Sequence, residues 1–182
     1  MTTPVDAGVD PGSREFLEQQ GFEGFLLVGQ LRHDRCEELP NLPGVYALLR
    51  ETLEKPEFMT RSNAAEYRGE NPTRPIDELA ERWVPGAQVL FFGRACGPGV
   101  RSLIKQRVKR YMRFSQGRVV GHWDGRFAWQ LRDHSSLRIA WKTMEGGDPA
   151  TYEVDLLRRF SQHYGTPPFA NTGHEFEQET EE

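Results

Sequence analysis

Two short apolar runs constrain the fold of this chain more than any other feature of its sequence. The first, GVYALLR, spans residues 44–50 and follows Pro43, and the second, AQVLFFG, spans residues 87–93 and follows Pro85 and Gly86. Each run is shorter than a typical helix and lacks the alternation of apolar and polar residues that marks a strand with one solvent-exposed face. Both runs are therefore predicted to be strands that are buried on both faces.

The remaining segments are predicted to be a mixture of strands and helices. In chain order they are a strand or short element at 21–31, a helix at 76–83, a helix at about 100–114, a hairpin around Asp124-Gly125, a strand at 137–144 and a helix at 149–164. The last helix is the best defined. Asp148 is a good N-cap, Pro149 suits the first helical position, and Gly165 provides a C-terminal stop.

The chain is predicted to form one domain. Its length of 182 residues and hydrophobic content of 37% match a single globular domain. The predicted organisation is a disordered terminus at 1–15, a domain at 16–173 with an extension at 16–42 and an insertion at about 53–75, and a disordered acidic tail at 174–182. No apolar run approaches the ~20 residues of a membrane span, the first residues do not resemble a secretory leader, and the two cysteines are isolated. We therefore expect a soluble, cytoplasmic protein with no membrane partner.

Positive charge is concentrated in one segment although the whole chain is acidic. The formal net charge is −4, yet residues 94–118 contain eight cations and no Asp or Glu. A cationic block of this length favours a polyanion such as nucleic acid, and the alternative is a solvated helix face. The residues predicted to bind nucleic acid are Arg94, Arg101, Lys105, Lys109, Arg110 and Arg113.

Two charged side chains fall on the apolar faces of predicted helices. Arg107 lies one turn from Leu103 and from Tyr111, and Glu153 shares a face with Leu156. A buried cation needs an anion, and a buried carboxylate must be neutral, paired with a cation or bound to a metal. These two residues suggest a site. The alternatives are an Arg107 that snorkels or pairs with an internal acid, and an Arg107–Glu153 ion pair without chemistry.

The order of five motifs resembles the GIY-YIG nuclease superfamily. The motifs are GVY at 44–46, FFG at 91–93, the helix LIKQRVKRY, a glutamate early in the last helix, and PFAN at 168–171. The resemblance implies an α/β fold of the α+β type, with a small, largely antiparallel sheet flanked by helices. It also implies a metal-dependent endonuclease that hydrolyses phosphodiester bonds of nucleic acid, with DNA preferred.

The resemblance also assigns site residues. They are Tyr46 as the hydroxyl of the first motif, Arg107 as the helix arginine, Tyr111 as an aromatic hydroxyl one turn later, Glu153 as the single ligand of Mg²⁺ or Mn²⁺, and Asn171 as the terminal polar residue. Gly44 and Gly93 keep the glycines of the two triplets. Phe91, however, stands where the family has a tyrosine, and Arg94 stands where it often has a lysine.

The implied reaction is an in-line attack of water on phosphorus. Glu153 would hold the metal ion, Arg107 would neutralise charge in the transition state, and Tyr46 would act as a base with help from a neighbouring cation. We expect these side chains to converge in one concave site, and coordinates that place Arg107 and Glu153 on opposite faces would contradict a nuclease.

Other functions remain open at this point. Because Phe91 has no hydroxyl, one alternative is a module of the same fold that binds nucleic acid without cleaving it. Another is a protein-interaction domain in which Arg107 and Glu153 merely pair. His122, which lies beside Trp123, is interpreted as a structural histidine flanking the hairpin.

Overall fold

A four-stranded antiparallel sheet flanked by helices organises the computed structural model, which describes residues 8–173. This arrangement confirms the predicted fold class. The elements in chain order are α1 (Arg14–Gln19), β1 (Glu23–Leu27), α2 (Val28–His33), β2 (Gly44–Leu49), α3 (Ile76–Arg82), β3 (Val89–Ala95), α4 (Ile104–Ser115), β4 (Arg138–Thr143) and α5 (Pro149–Tyr164). Two short 3₁₀ helices, at Arg126–Gln130 and His134–Ser136, lie between α4 and β4.

Strand β2 lies inside the sheet, whose strand order is β1-β4-β2-β3, with every neighbouring pair antiparallel. Tyr46 is opposite Gly93 of β3 on one side and Trp141 of β4 on the other. Every residue of β2 is buried, which confirms the prediction of a strand buried on both faces. β3 continues to Ala95, two residues beyond its predicted end, because its pairing with β2 extends to Gly44.

The sheet separates two hydrophobic cores, because successive residues of β2 point to opposite faces. Tyr46 and Leu48 belong to the core that includes the apolar residues of α2, α4 and the first 3₁₀ helix. Val45 and Ala47 belong to the core that includes the apolar residues of α1 and α5. Helices α4 and α5, which carry the two inward-facing charges, therefore cover opposite faces of the sheet.

Helix α4 begins four residues later than the predicted start at about residue 100. Its first amide groups are bound by a loop, since the N–H of Ile104 donates to the carbonyl of Leu42 and that of Lys105 to the carbonyl of Pro40. The glycine-rich turn before it also extends further than expected, with positive φ angles at Cys96 and Gly99. Contacts with a distant loop thus determine where this helix starts.

The predicted hairpin around Asp124 and Gly125 is wrong. The segment after Gly125 is a 3₁₀ helix, and all five of its residues, 126–130, are buried. Gln130 lies in this helix, and its side chain donates to the carbonyls of Met59 and Arg74 in the predicted insertion. The segment therefore packs against the predicted insertion and does not form a strand.

The N-terminal and C-terminal predictions fall partly outside the described residues. Residues 8–15 were predicted to be disordered, but they are packed: the carboxylate of Asp10 accepts from the Tyr164 hydroxyl, and the carbonyl of Gly12 accepts from Val89. The predicted disorder of residues 1–7 and 174–182 lies outside the described part of the chain. None of the helices within residues 8–173 has the length and apolar character needed to cross a membrane.

Candidate functional site

The hydroxyl of Tyr46 lies at the centre of the candidate site. Its ring lies over Gly93 on the edge strand β3, where a side-chain carbon would come within 2.5 Å of the ring. The hydroxyl is 2.8 Å from Nε2 of His122, and Tyr46 has no exposed surface. A side chain that is buried in this way does not contact water or phosphate in this conformation, so its position does not fit the implied role as a base.

His122 is a site residue whose sequence context indicated only a structural role. Its Nδ1 is 2.9 Å from the backbone carbonyl of Asp124, and its ring stacks on Tyr111 with 4.1 Å between centroids. Since a carbonyl can only accept, Nδ1 carries the proton and Nε2 accepts from the Tyr46 hydroxyl. Burial lowers the pKa of His122 well below its usual value, and the charges of Arg107 and Arg110 lower it further.

Arg107 and Glu153 both influence the pKa of the Tyr46 hydroxyl. Burial raises the pKa of the Tyr46 hydroxyl above its usual range, the charge of Arg107 and its hydrogen bond to the hydroxyl oppose this, and the charge of Glu153 adds to it. Arg107 is partly exposed, whereas Tyr46 is buried. The two charged side chains thus come from helices on opposite faces of the sheet, the arrangement that was expected to contradict a nuclease. Both nevertheless influence the same hydroxyl, next to the glycine of the edge strand.

The other two aromatic residues of the predicted site are buried inside the protein. The Tyr111 hydroxyl donates to the carbonyl of Gly125 at 2.8 Å, and burial raises its pKa well above the usual value. Phe91 packs against Tyr46 and Tyr111, with ring centroids 6.1 and 5.6 Å away. Tyr111 and Phe91 therefore support the ring of Tyr46 from the core and do not reach the protein surface.

Glu153 lies in the first turns of α5, a helix whose N-cap was predicted from the sequence. The carboxylate of Asp148 accepts from the N–H groups of Ala150 and Thr151 and so caps the helix, which then turns Glu153 toward β3. The side chain of Glu153 is only 6% exposed, and its Oε2 lies 3.0 Å from Nε of Arg94. The carboxylate is therefore neutralised by a cation that was predicted to bind nucleic acid.

Glu153 and Asn171 line a pocket of about 300 Å³ at this edge of the sheet. Arg82, at the end of α3, lines the same pocket and donates to the backbone carbonyl of Asn171 at 3.3 Å. Arg82 was not identified from the sequence, because its partner, Asn171, is 89 residues away in the chain. The pocket thus adds a second guanidinium beside Glu153.

Asn171 supports the edge strand. Its side-chain Oδ1 accepts from the N–H of Phe92 at 3.0 Å, and its Nδ2 donates to the carbonyl of the same residue at 2.9 Å. The neighbouring Ala170 also donates to the carbonyl of Leu90. The segment PFAN therefore covers backbone groups of β3 that no further strand satisfies, a common way to protect a sheet edge.

The basic segment is divided between the site and the surface. Arg94 contacts Glu153, and Arg110 is close enough to His122 to lower its pKa. Lys105 donates to the backbone carbonyl of Glu37. The exposed cations of the segment are Arg101, Lys109, Arg113 and Arg118. Of these, Lys109 and Arg113 lie within α4, on the side of the helix away from Arg107, which shares a face with Tyr111.

The residues present fit a divalent ion only if a single protein carboxylate binds it and water or substrate supplies the other ligands. Within residues 8–173, no three His, Cys, Asp or Glu side chains form a group that could hold a metal. Mg²⁺, however, commonly binds through one or two carboxylates while water and substrate phosphate complete its coordination. Glu153 in its pocket offers one such carboxylate, for which Arg94 competes.

Comparisons of this chain with protein-family models, with curated proteins and with solved structures found no match.

Proposed function

We propose that the protein is a metal-dependent endonuclease that hydrolyses phosphodiester bonds of nucleic acid, preferentially DNA. The observation that carries this proposal is that Arg107 and Glu153, one cation and one carboxylate, both lie close enough to the Tyr46 hydroxyl beside the edge strand β3 to shift its pKa. Hydrolysis of a phosphodiester needs a cation against the phosphate and a ligand for a metal ion, and these two side chains supply one of each. The exposed cations of α4 supply a surface for the substrate backbone.

Each residue has a distinct role in this proposal. Arg107, which is partly exposed, binds a non-bridging oxygen of the phosphate and neutralises charge that develops during attack by water. Glu153 would hold Mg²⁺ or Mn²⁺, which when bound polarises the phosphate and activates a water molecule. Arg82 contributes a further positive charge to the pocket that Glu153 lines. Tyr46 and Asn171 maintain the site from inside the protein.

The proposal is tested by incubating the protein with labelled duplex DNA, single-stranded DNA and RNA, in Mg²⁺, in Mn²⁺ and in chelator. We expect metal-dependent cleavage by the parent protein. Glu153→Gln should abolish cleavage and leave affinity similar or higher, because it removes a ligand and a negative charge. Asp155→Asn is the matched control, since Asp155 lies on the same helix but pairs with Arg158 and Arg159. Cleavage that survives both chelator and Glu153→Gln would contradict the one-metal mechanism.

A second candidate is a module that binds nucleic acid without cleaving it. Phe91 and the burial of the Tyr46 and Tyr111 hydroxyls favour it, because no aromatic hydroxyl of the predicted site is available to water or phosphate. This candidate predicts salt-dependent binding by the parent with no cleavage under any metal condition. Phe91→Tyr would then restore some cleavage only if the new hydroxyl finds a partner, since a buried hydroxyl without one costs ~1–3 kcal/mol.

A further inference from the structure

We propose that His122 and Tyr46 are positioning residues that hold the guanidinium of Arg107 in place to bind a phosphate of nucleic acid. The proposal rests on the proposed function in one respect, namely that Arg107 contacts nucleic acid. It assigns to Tyr46 a role different from that of a base, and it gives His122 a role in the reaction.

Three hydrogen bonds connect Arg107, Tyr46, His122 and the backbone of Asp124, and the donor and acceptor of each are defined. The carbonyl of Asp124 accepts from Nδ1 of His122, Nε2 of His122 accepts from the Tyr46 hydroxyl, and the hydroxyl oxygen accepts from Arg107. Each group orients the next. Because Nδ1 carries the proton, Nε2 of His122 must accept from the Tyr46 hydroxyl. With its proton directed to His122, the hydroxyl oxygen presents its lone pairs to the guanidinium of Arg107.

Arg107 is the least buried of the three hydrogen-bonded side chains. Tyr46 is 0% exposed and His122 is 2% exposed, so neither can touch a bound nucleic acid in this conformation. Arg107 is partly exposed and is therefore the only member of the three that can do so. The stacking of His122 on Tyr111, with 4.1 Å between centroids, and the close packing of Tyr46 on Gly93 hold both rings rigidly.

This series of hydrogen bonds requires the imidazole of His122 to be uncharged. Protonation of Nε2 would convert the acceptor into a donor, so the Tyr46 hydroxyl would turn its proton away from His122 and toward Arg107. The charged and titratable groups around the pair are Arg107, Arg110, Asp124, Glu153 and Tyr111. The two arginines and burial keep His122 uncharged near neutral pH.

A double-mutant cycle tests whether Tyr46 and His122 act through Arg107. Tyr46→Phe and His122→Ala are measured alone and in an Arg107→Ala background, for Mg²⁺-dependent cleavage and for affinity to duplex DNA in chelator. Each change alone should weaken cleavage roughly 3–10-fold, as expected for one hydrogen bond, and should change it less than about 2-fold once Arg107 is absent. Tyr152→Phe, which removes a hydroxyl that bonds Gln20 in the other core, should have no effect in either background.

His122→Gln separates a positioning role from a purely structural one. The glutamine carbonyl can accept from the Tyr46 hydroxyl but cannot be protonated, so it should restore the parent rate to within about 3-fold. The parent should lose activity at acidic pH as His122 is protonated, and His122→Gln should lack this loss. Thermal unfolding of each variant shows whether it is folded at the assay temperature.

The outcomes separate this inference from the proposed function. If the parent does not cleave any nucleic acid, the nuclease proposal fails, and the cycle measured on affinity in chelator still tests the positioning role. If Tyr46→Phe and His122→Ala weaken affinity and cleavage equally with and without Arg107, the positioning role is overturned. It is also overturned if both variants change only the unfolding temperature.

Discussion

Gly93 illustrates how a single residue can decide the geometry of the site. A Cβ atom at this position would lie 2.5 Å from Cζ and 2.7 Å from the hydroxyl oxygen of Tyr46. Such distances are far below normal van der Waals contact, so only glycine allows the tyrosine ring to cross the edge strand. The glycine of the second triplet is therefore needed for packing, whatever the chemistry of the site.

We expect Gly93→Ala to destabilise the protein by ~1–3 kcal/mol, the usual cost of forcing extra volume into a packed core. Urea unfolding would measure this change. Gly8→Ala is the control, because nothing lies within 4 Å of a Cβ at Gly8. Equal stability of the two variants would show that Tyr46 does not pack against Gly93 in solution.

His122 should make stability depend on pH in the mildly acidic range. Its pKa is lowered in the folded protein, so the unfolded chain binds a proton that the folded protein does not. The contribution of uncharged His122 to the free energy of unfolding should be fully present above the ordinary histidine pKa of ~6.5 and should decrease as the pH falls below that value. The decrease should be smaller in His122→Gln when unfolding temperatures are compared between pH 7 and pH 5.

His134 is the necessary second variant in this experiment, because burial and the charge of Arg32 also lower its pKa. His134→Gln should remove a separate part of the pH dependence. A parent protein whose unfolding temperature is constant over this range would contradict the buried, uncharged state of His122.

At the scale of the elements, the segment PFAN and strand β3 depend on each other. We expect Asn171→Ala to cost ~1–3 kcal/mol, because it leaves the buried backbone groups of Phe92 without partners. Asn171→Asp should cost more, since a carboxylate cannot donate to the Phe92 carbonyl. Denaturant unfolding measures both. Abolished cleavage with unchanged stability would instead indicate that Asn171 acts directly on the substrate.

The elements that were predicted well are those defined by local signals. Helix α5 begins and ends at the predicted residues because Asp148 caps it and Gly165 adopts the left-handed conformation that ends it. The start of α4 and the 3₁₀ helix at 126–130 were missed, because they depend on residues far away in the chain. The position of β1 at a sheet edge, paired with β4, had no local signal at all.

The candidate site was predictable to the extent that helical spacing marks inward-facing residues. Arg107 and Glu153 were identified because each shares a face with apolar neighbours. His122 and Arg82 were missed because their partners are 76 and 89 residues away and leave no pattern in the sequence. Arg94, expected on the binding surface, contacts Glu153 because the strand continues past Gly93.

At the scale of the whole molecule, the site lies where two faces of the sheet meet. Arg107 comes from α4 on one face and Glu153 from α5 on the other, and both influence Tyr46 beside the edge strand. A substrate that engages both must therefore span the β3 edge rather than occupy a cleft over one face. This arrangement differs from the single concave site expected from the sequence.

Binding of nucleic acid should depend on salt and on the exposed cations of α4 and of the segment directly after it. Neutralising Lys109, Arg113 and Arg118 together should weaken binding to duplex DNA. It should also flatten the dependence of log affinity on log salt by up to ~0.9 for each phosphate that these side chains no longer neutralise. Arg158→Gln on the exposed side of α5 is the control. Unchanged affinity in the triple variant would show that these cations form only a solvated surface.

The central claim is that Arg107 neutralises a phosphate during metal-dependent hydrolysis. Its most direct test is the single-turnover rate of DNA cleavage in Mg²⁺ at saturating protein, compared between the parent and Arg107→Ala. We expect the parent to cleave and the variant to be at least ~100-fold slower while still binding DNA. Cleavage by Arg107→Ala at the parent rate, or no cleavage by the parent on any nucleic acid, would contradict the claim.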